Sequence, residues 1–173
     1  MTLVIPPGVP ADGTVLVKWV PTIADPTAPK LETEVNAAGA LDLSCYIDPS
    51  SFGISNNQDT VEDNRLCAKT SYEIPGRSKW TLDNFLYTYD VQNPSSVANK
   101  AYAALIPGTS GFLVIRWGKD VDTVPLDAAQ IVDVIPVTLG AQVKQKPEAN
   151  TMLKVSQKFF IIGAMALDKT LAA

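Results

Sequence analysis

Paired carboxylates are the residues of this sequence whose spacing comes closest to that of a catalytic site. Glu32 and Glu34 stand two positions apart in "KLETEVN", so on a strand their side chains would share one face. Two neighbouring carboxylates can act as the acid and the nucleophile of a glycoside hydrolase. The same pattern is typical of an ordinary solvent-facing strand. A hydrolase that uses Glu32 and Glu34 is one hypothesis, and no recognisable catalytic set accompanies the pair.

Histidine is absent from the sequence, and this removes much of the remaining chemistry. Neither a Ser-His-Asp nor a Cys-His site can be built without it. The two cysteines, Cys45 and Cys67, match no zinc-binding spacing. Two cysteines do not make a secreted scaffold, so we expect buried thiols in a protein made in a reducing cytoplasm, with a disulfide between them as the alternative. No enzyme, cofactor or metal site is predicted.

The segment "DVDTVPLD", residues 120–127, starts like a calcium-binding loop with the pattern D-x-D. The rest of the calcium pattern is missing. Pro125 stands where a glycine turn is needed, and Ile131 stands where a glutamate should close the loop. The sequence therefore predicts a solvated loop here.

Size and charge favour one globular domain with a sizeable core. The chain has 173 residues, of which 46% are hydrophobic and 18% charged. Its net charge of −4 argues against tight binding of nucleic acid, which depends on cations that neutralise phosphates. The charge is still compatible with a surface along which nucleic acid slides. No apolar run is long enough to predict a membrane span.

Apolar and polar residues alternate along several short segments, which predicts strands at 15–20, 31–36, 41–47, 65–74, 80–89, 112–117, 131–139 and 153–162. We expect 31–36 to pair with 41–47. We expect 65–74 to pair with 80–89 through a turn at Pro75-Gly76. The order of elements shows no β-α-β alternation, so the predicted fold is mainly β, an antiparallel β-sandwich or barrel.

One helix is predicted on the flank of this sheet, over residues 94–106. Asn93 can cap it, Pro94 fits its first position, and Pro107-Gly108 should end it. The proline-rich residues 1–13 are expected to form an extended arm, and residues 164–173 a C-terminal tail. Residues 14–163, which lie between the arm and the tail, are the predicted domain. Within it, the polar segment 48–64 is predicted to be a long contact loop, because loops of such length are uncommon without a function.

The last predicted strand changes character along its length. It begins with regular alternation, and then Phe159 to Ile162 are apolar on both faces. Burial of one such side chain contributes about 1.5–3 kcal/mol, so this ribbon needs a cover on its second face. The domain's own helix or another copy of the chain can supply that cover.

Four stretches, in this order, give the sequence a family resemblance. They are "LDLSCYI", "GISNNQDTVEDNRLC", "YEIPGRSKWTLDNFLYTYDVQNP" and "VKQKPEANTMLKVSQKFFIIG". Each stretch alone is a weak signal. The ordered set resembles the major tail protein, or tail tube protein, of bacteriophages with long non-contractile tails, especially phages of actinobacteria.

The resemblance implies a structural protein of the virion. Tail tube proteins are β-sandwich or barrel domains with a flanking helix, and they assemble as rings, typically six-fold, that stack into a hollow tube. A long loop and the terminal arms reach the next ring, and double-stranded DNA passes through the lumen. The implied partners are other copies, the tape measure, terminator and baseplate or tip proteins, with assembly in the bacterial host cytoplasm and no membrane contact.

The resemblance also suggests roles for residues. The subunit contact within a ring would use the apolar ribbon, Phe159, Phe160, Ile161 and Ile162. The ring-stacking contact would use the long loop, in particular Phe52, Gly53, Ile54, Asp59, Glu62 and Asp63. A carboxylate-rich lumen would repel phosphate, and its candidates are Glu32, Glu34 and Asp42. An outer position for those three carboxylates is equally compatible.

Alternative functions remain open at this point. Another component of a tail or injection machine, such as a tail terminator or a minor tail protein, belongs to the same assembly class. A small-ligand-binding β-barrel would belong to a different class, with a pocket lined by Trp80, Phe112 and Trp117. The hydrolase with a carboxylate pair is the remaining alternative.

Overall fold

A computed structural model describes residues 4–67 and 69–173. These residues form nine strands and one short α-helix, α1: β1 Leu16–Val20, β2 Leu41–Asp42, β3 Ile54–Asp63, β4 Tyr72–Leu82, β5 Phe85–Thr88, α1 Lys100–Ala104, β6 Ser110–Arg116, β7 Ile131–Lys144, β8 Lys154–Ile161 and β9 Ala166–Thr170. The prediction of a mainly β, antiparallel fold with one flanking helix is confirmed. Its sheet is curled and closes about half of a barrel.

Seven of the strands form this main sheet, in the order β2-β1-β6-β7-β8-β5, with β9 added beside β7. The long β7 contacts β6 along one side, and β9 followed by β8 along the other. Pro136 lies where the second side changes partner, since β9 pairs as far as Val134 and β8 begins at Val137. A proline, which has no N–H to donate, is tolerated at such a gap in the ladder.

The main sheet has two apolar faces with different covers. Its helix-side face carries a first core, to which α1 contributes Ala101. Its opposite face carries a smaller second core around Val114 and Val134. The alternation of side chains along each strand places neighbouring residues in different cores, as Leu113 and Val114 show.

The predicted hairpin of 31–36 with 41–47 is wrong. Leu31–Val35 is one π-helical turn, and β2 is a short strand that pairs with β1. Leu31 and Val35 are both buried in the second core. Residues four positions apart lie on one face of a helix as well as of a strand, so the apolar spacing fits both structures. The Glu34 carboxylate decides the local fold, because it accepts hydrogen bonds from the backbone N–H groups of Ala24 and Lys30, both at 2.9 Å.

The predicted contact loop 48–64 and the predicted hairpin of 65–74 with 80–89 are also wrong in conformation. β3 pairs with β4 to form a separate two-stranded sheet, which we call the β3–β4 hairpin. The expected turn at Pro75-Gly76 lies inside β4, where an irregularity in the register accommodates it. Within the predicted loop, residues 49–51 form a 3₁₀ turn and residues 54–63 form β3.

Two further boundaries differ from the prediction. The helix predicted at 94–106 is shorter: a 3₁₀ turn, Val97–Asn99, capped by Ser96, leads into α1. Residues 164–173 are not a tail, because β9 pairs with β7 and Leu171 is buried in the second core. At the other end, residues 4–13 are exposed and form no strand or helix.

A buried polar cluster joins the helix to the sheet. Gln157, on the helix-side face of β8, accepts a hydrogen bond from the Tyr87 hydroxyl at 2.7 Å. Its amide donates to the backbone carbonyls of Leu105 and Gly140 at 3.0 and 2.9 Å. Gln142 donates to the same hydroxyl at 3.0 Å. The irregular step in β7 between Leu139 and Gln142 is thus filled by hydrogen-bonded side chains.

We expect Gln157→Leu to lower the free energy of unfolding by about 2–3 kcal/mol, because it removes the acceptor of the buried Tyr87 O–H and the side-chain donor to the Gly140 carbonyl. Urea denaturation followed by tryptophan fluorescence measures this. Gln145→Leu is the matched control, since Gln145 is exposed, and it should change stability by less than about 0.5 kcal/mol. Equal effects of the two substitutions would contradict a structural role for Gln157.

An ion pair ties the segment before the β3–β4 hairpin to β8. The Lys154 ammonium donates to the Asp48 carboxylate, and both side chains are about three-quarters buried. The hydrogen bond from Lys154, followed by those from the Ser50 hydroxyl and N–H, lowers the pKa of Asp48 to about 2. A carboxyl whose pKa is lower in the folded state stabilises the fold above its unfolded pKa of ~3.9, and this contribution is lost as the pH falls towards 2.

Lys154→Met should therefore lower the unfolding free energy by about 1 kcal/mol near pH 6. The difference from the parent chain should shrink between about pH 4 and pH 2, as Asp48 becomes protonated in both proteins. Urea titrations at several pH values test this, with Lys158→Met as the control because Lys158 is exposed on the same strand. A difference that does not depend on pH would exclude the ion pair as its cause.

Candidate assembly surfaces

The β3–β4 hairpin is the most exposed regular element among the described residues. Almost every residue of both strands is exposed, including the apolar Val61, Tyr72 and Ile74. An isolated two-stranded hairpin is at best marginally stable in water. A hairpin of this length without a covering layer indicates a surface that packs against another molecule.

Charges along the outer half of the hairpin are poorly matched within the chain. Glu62 lies directly opposite Glu73 in the register, and like charges at such a position are destabilising. The next residue, Asp63, forms an ion pair with Arg65 at 2.9 Å. A cationic partner surface would relieve the repulsion between the two glutamates.

The residues proposed for ring stacking divide into two groups. Phe52 packs into the domain, with ring centroids 5.5 Å from Phe85 and 5.7 Å from Trp117. Gly53 and Ile54 form the base of the hairpin, where the Gly53 carbonyl accepts from the Asp83 N–H at 3.0 Å. The other three residues project along the exposed strand β3: Asp59, Glu62 and Asp63. The first group positions the hairpin, and in the second Asp59 and Glu62 are exposed while Asp63 is paired with Arg65.

The apolar ribbon at the end of β8 is also divided. Phe159 is 1% exposed and packs against Phe85, with ring centroids 4.4 Å apart, so it cannot belong to a subunit contact. Ile161 is half-buried against the first core. Phe160 and Ile162 point to the opposite face and are 51% and 57% exposed. We call these two residues the open patch.

The open patch lies on the part of the opposite face that the second core does not reach. Gly140 lies beneath it, and a β-carbon there would be 3.0 Å from the Phe160 ring and 2.9 Å from the Lys158 carbonyl. The lack of a side chain at Gly140 leaves room for the Phe160 ring. The helix α1 covers the other face of the sheet, so the domain's own helix does not cover this patch.

The three carboxylates proposed for a lumen do not share a strand face. Glu34 is occupied by the two backbone N–H groups that it accepts from. Asp42 and Glu32 are exposed and lie near Lys18. Partial burial lowers the pKa of Lys18, although the charges of Asp42 and Glu32 oppose this shift. The hypothesis of a catalytic pair required Glu32 and Glu34 to share one face of a strand. They lie on a π-helical turn instead, so the structure does not support that pair.

A pocket of about 590 Å³ opens beside the base of the hairpin. Apolar side chains form most of its wall: Val15, Val17, Ile47, Pro49, Phe52, Trp117 and Val121. Of the three aromatic residues proposed for a ligand pocket, Trp117 lines it, whereas Trp80 and Phe112 do not. Two carboxylates, Asp12 and Asp122, also line it, together with Ala11, Gly13, Ser44 and Cys45.

The thiols are not buried, contrary to expectation. Cys45 and Cys67 are both free and exposed. Cys45 lies at the wall of the pocket, and Cys67 lies near the tip of the hairpin.

Sequence reasoning missed the buried Arg116, which organises the loop after β6. One terminal nitrogen of its guanidinium donates to the Val124 and Pro125 carbonyls at 2.7 and 3.2 Å. The other donates to the Lys119 and Asp120 carbonyls at 3.0 and 3.1 Å. An arginine in an apolar, strand-like run is the only sequence signal for this role.

The same loop contains the D-x-D pattern, and its carboxylate binds its own backbone. Asp120 accepts hydrogen bonds from the Thr123 N–H and hydroxyl and from the Asp122 N–H, and these bonds lower its pKa. Across residues 4–67 and 69–173, no cluster of three or more acidic or cysteine side chains could hold a metal ion. None of the helices formed by these residues has the length and apolar character needed to cross a bilayer.

Comparison with known proteins identifies the family. Residues 2–173 match the family model described as "Phage tail tube protein". No curated protein matches the chain. Since the family match extends over almost the entire sequence, the chain belongs to the phage tail tube protein family.

Proposed function

We propose that the chain assembles into six-fold rings, which stack into the tail tube of a phage with a long non-contractile tail. The β3–β4 hairpin carries this proposal, because almost every described residue of its two strands is exposed to solvent. Family membership supports a structural role in a tail tube. The chain then acts by polymerisation and not by catalysis.

The open patch is our candidate for the contact within a ring. Phe160 and Ile162 together expose a continuous apolar surface at the end of β8. A neighbouring subunit that covers them would remove this surface from water, and a closed ring would also leave no strand edge unpaired. The hairpin, through Asp59, Glu62 and Asp63, is our candidate for the contact between rings.

We further propose that the lumen conducts double-stranded DNA during ejection. The net charge of −4 supports a wall that repels phosphate, so that DNA slides without binding. Glu32 and Asp42 are the exposed carboxylates that we assign to this wall. The further partners are the tape measure, terminator and baseplate or tip proteins. Assembly takes place in the cytoplasm of the host. Our candidate host is an actinobacterium.

A small-ligand-binding function is the second candidate, because the pocket has a volume of about 590 Å³ and mostly apolar walls. A tube subunit and a ligand-binding protein differ in their behaviour at high concentration. The subunit forms rings or filaments, whereas the binding protein stays monomeric and shows quenching of Trp117 by an apolar compound.

Phe160→Asp should give a folded monomer that no longer forms rings, because a charge in the middle of the open patch cannot be buried without a partner. Light scattering and negative-stain microscopy measure assembly, and circular dichroism measures folding. The matched control is Leu153→Asp, since Leu153 is also about half exposed (54%) but lies before β8. Normal rings from Phe160→Asp would exclude the open patch as the ring contact.

Replacing residues 58–78 with Asn-Gly should separate stacking from ring formation. Asn57 and Lys79 are directly opposite each other, so a two-residue turn can join them without strain. We expect the shortened chain to fold and to form single rings, because the open patch and both cores are intact. Negative-stain microscopy that still shows long tubes would disprove the stacking role of the hairpin.

A further inference from the structure

The pocket beside the hairpin base has an acidic rim over an apolar floor. Asp12 and Asp122 are exposed at its opening, while Val17 and Trp117 belong to its apolar wall. Such a site fits a convex apolar group that carries positive charge beside it. Nothing in the described part of the chain fills this space.

The tip of the β3–β4 hairpin has the complementary character. Leu66 is fully exposed there, and two exposed cations, Arg65 and Lys69, stand close to it in the sequence. The Arg65 ion pair with Asp63 is exposed to solvent, so a change of partner costs little. Leu66, with Arg65 and Lys69 near it in the sequence, is therefore an apolar projection that matches the pocket in shape and charge.

We propose that Leu66 at the hairpin tip of one copy inserts into the pocket of a second copy, with Arg65 and Lys69 facing Asp12 and Asp122. This inference rests on the proposed tube assembly and names the acceptor site on the receiving subunit. The hairpin tip of the first copy supplies Leu66 as the knob. The hairpin base of the second copy supplies Phe52 as part of the pocket, which acts as the socket.

Reach excludes insertion of the tip into the pocket of its own chain. Phe52 lines the pocket, and the strand that follows it runs from Ile54 to Asp63 before the tip is reached. Ten strand residues extend over roughly 30 Å. The tip and the pocket of one molecule therefore lie far apart, and the contact joins different molecules.

Other apolar groups of the chain fit the pocket less well. The N-terminal segment 1–13 is apolar and exposed where described, but it contains no lysine or arginine to match the acidic rim. Phe160 lies on the face of β8, and Ile162 follows the end of that strand, so neither stands on a projecting turn. The hairpin tip combines a convex shape with the required charge.

The two native cysteines provide a direct test. Cys67 follows Leu66 at the tip, and Cys45 lines the pocket, so docking brings one thiol from each copy together. Oxidation by copper–phenanthroline and oxygen removes two electrons and two protons from the pair, oxygen accepts them, and one S–S bond forms. A disulfide requires α-carbons within about 7 Å, so only close docking allows it.

Tubes collected by sedimentation, then oxidised and run on a denaturing gel without reductant, should give a ladder of cross-linked subunits. Peptide mapping should identify a Cys45–Cys67 bond between copies, and either Cys45→Ser or Cys67→Ser should abolish the ladder. Tubes without a ladder would overturn the inference while leaving the proposed function intact. A ladder that persists in Cys45→Ser, joined by Cys67 to Cys67, would overturn it as well.

Leu66→Asp gives a second, independent test. We expect at least a tenfold loss of tube mass in sedimentation, with single rings still present, and recovery in Leu66→Met, which keeps an apolar side chain. Leu153→Asp is the matched control at an exposed leucine outside the pocket and the tip. Full tube yield from Leu66→Asp, or protection of Cys45 by an apolar small molecule in place of the tip, would contradict the inference. Complete failure of the parent chain to form rings or tubes would contradict both proposals.

Discussion

Covering both faces of the curled sheet is the constraint on which the rest of this structure depends. The helix-side face is covered by α1 and Phe52, except where the pocket opens beside Val15 and Val17. The opposite face is covered where the π-helical turn Leu31–Val35, the loop held by Arg116, Ile23 and Leu171 cross it. Since Phe160 and Ile162 stay exposed beside this cover, the fold leaves apolar surface that another copy can bury, and this incompleteness links the fold to assembly.

The β3–β4 hairpin must remain soluble before assembly, although both of its strands are exposed. Its strands are held together by polar side chains: the hydroxyls of Ser55 and Thr81 are 2.8 Å apart, and Asn56 donates to Ser78 at 2.7 Å. Polar cross-strand pairs hold the register without a large apolar surface. Charged residues such as Glu62 and Glu73 also discourage premature pairing of exposed edges. The hairpin can therefore remain free in solution and still present apolar residues at chosen points.

The sequence allowed prediction of the strands that have at least one buried face. Alternation around Val155 and Gln157, and the apolar run at Leu113–Ile115, correspond to β8 and β6. The β3–β4 hairpin could not be found this way, because "SNNQDT" has no apolar period when neither face meets a core. Leu31 and Val35 fitted both a strand and a helical turn, and only the tertiary contacts of Glu34 resolve this ambiguity.

The candidate surfaces show the same limit at the level of single residues. Apolar residues on both faces of β8 predicted a ribbon that needs cover, but the pattern could not tell that Phe85 covers Phe159 while Phe160 stays exposed. That distinction depends on β5, a strand more than 60 residues earlier in the chain. The pocket was equally invisible, since its wall joins the N-terminal segment to residues around Cys45 and Trp117.

A knob and a socket at different places on one molecule have a consequence for the shape of the assembly. Such a contact is heterologous, so each subunit that donates a tip leaves its own pocket open for the next. If this contact joined the members of one ring, the last subunit would bind the first, and every tip and pocket would be occupied. If it joins successive rings, it gives the tube a direction and never saturates, because the last ring always presents either free tips or free pockets. The two ends of the tube are then chemically different, and each needs its own protein to start or to stop growth.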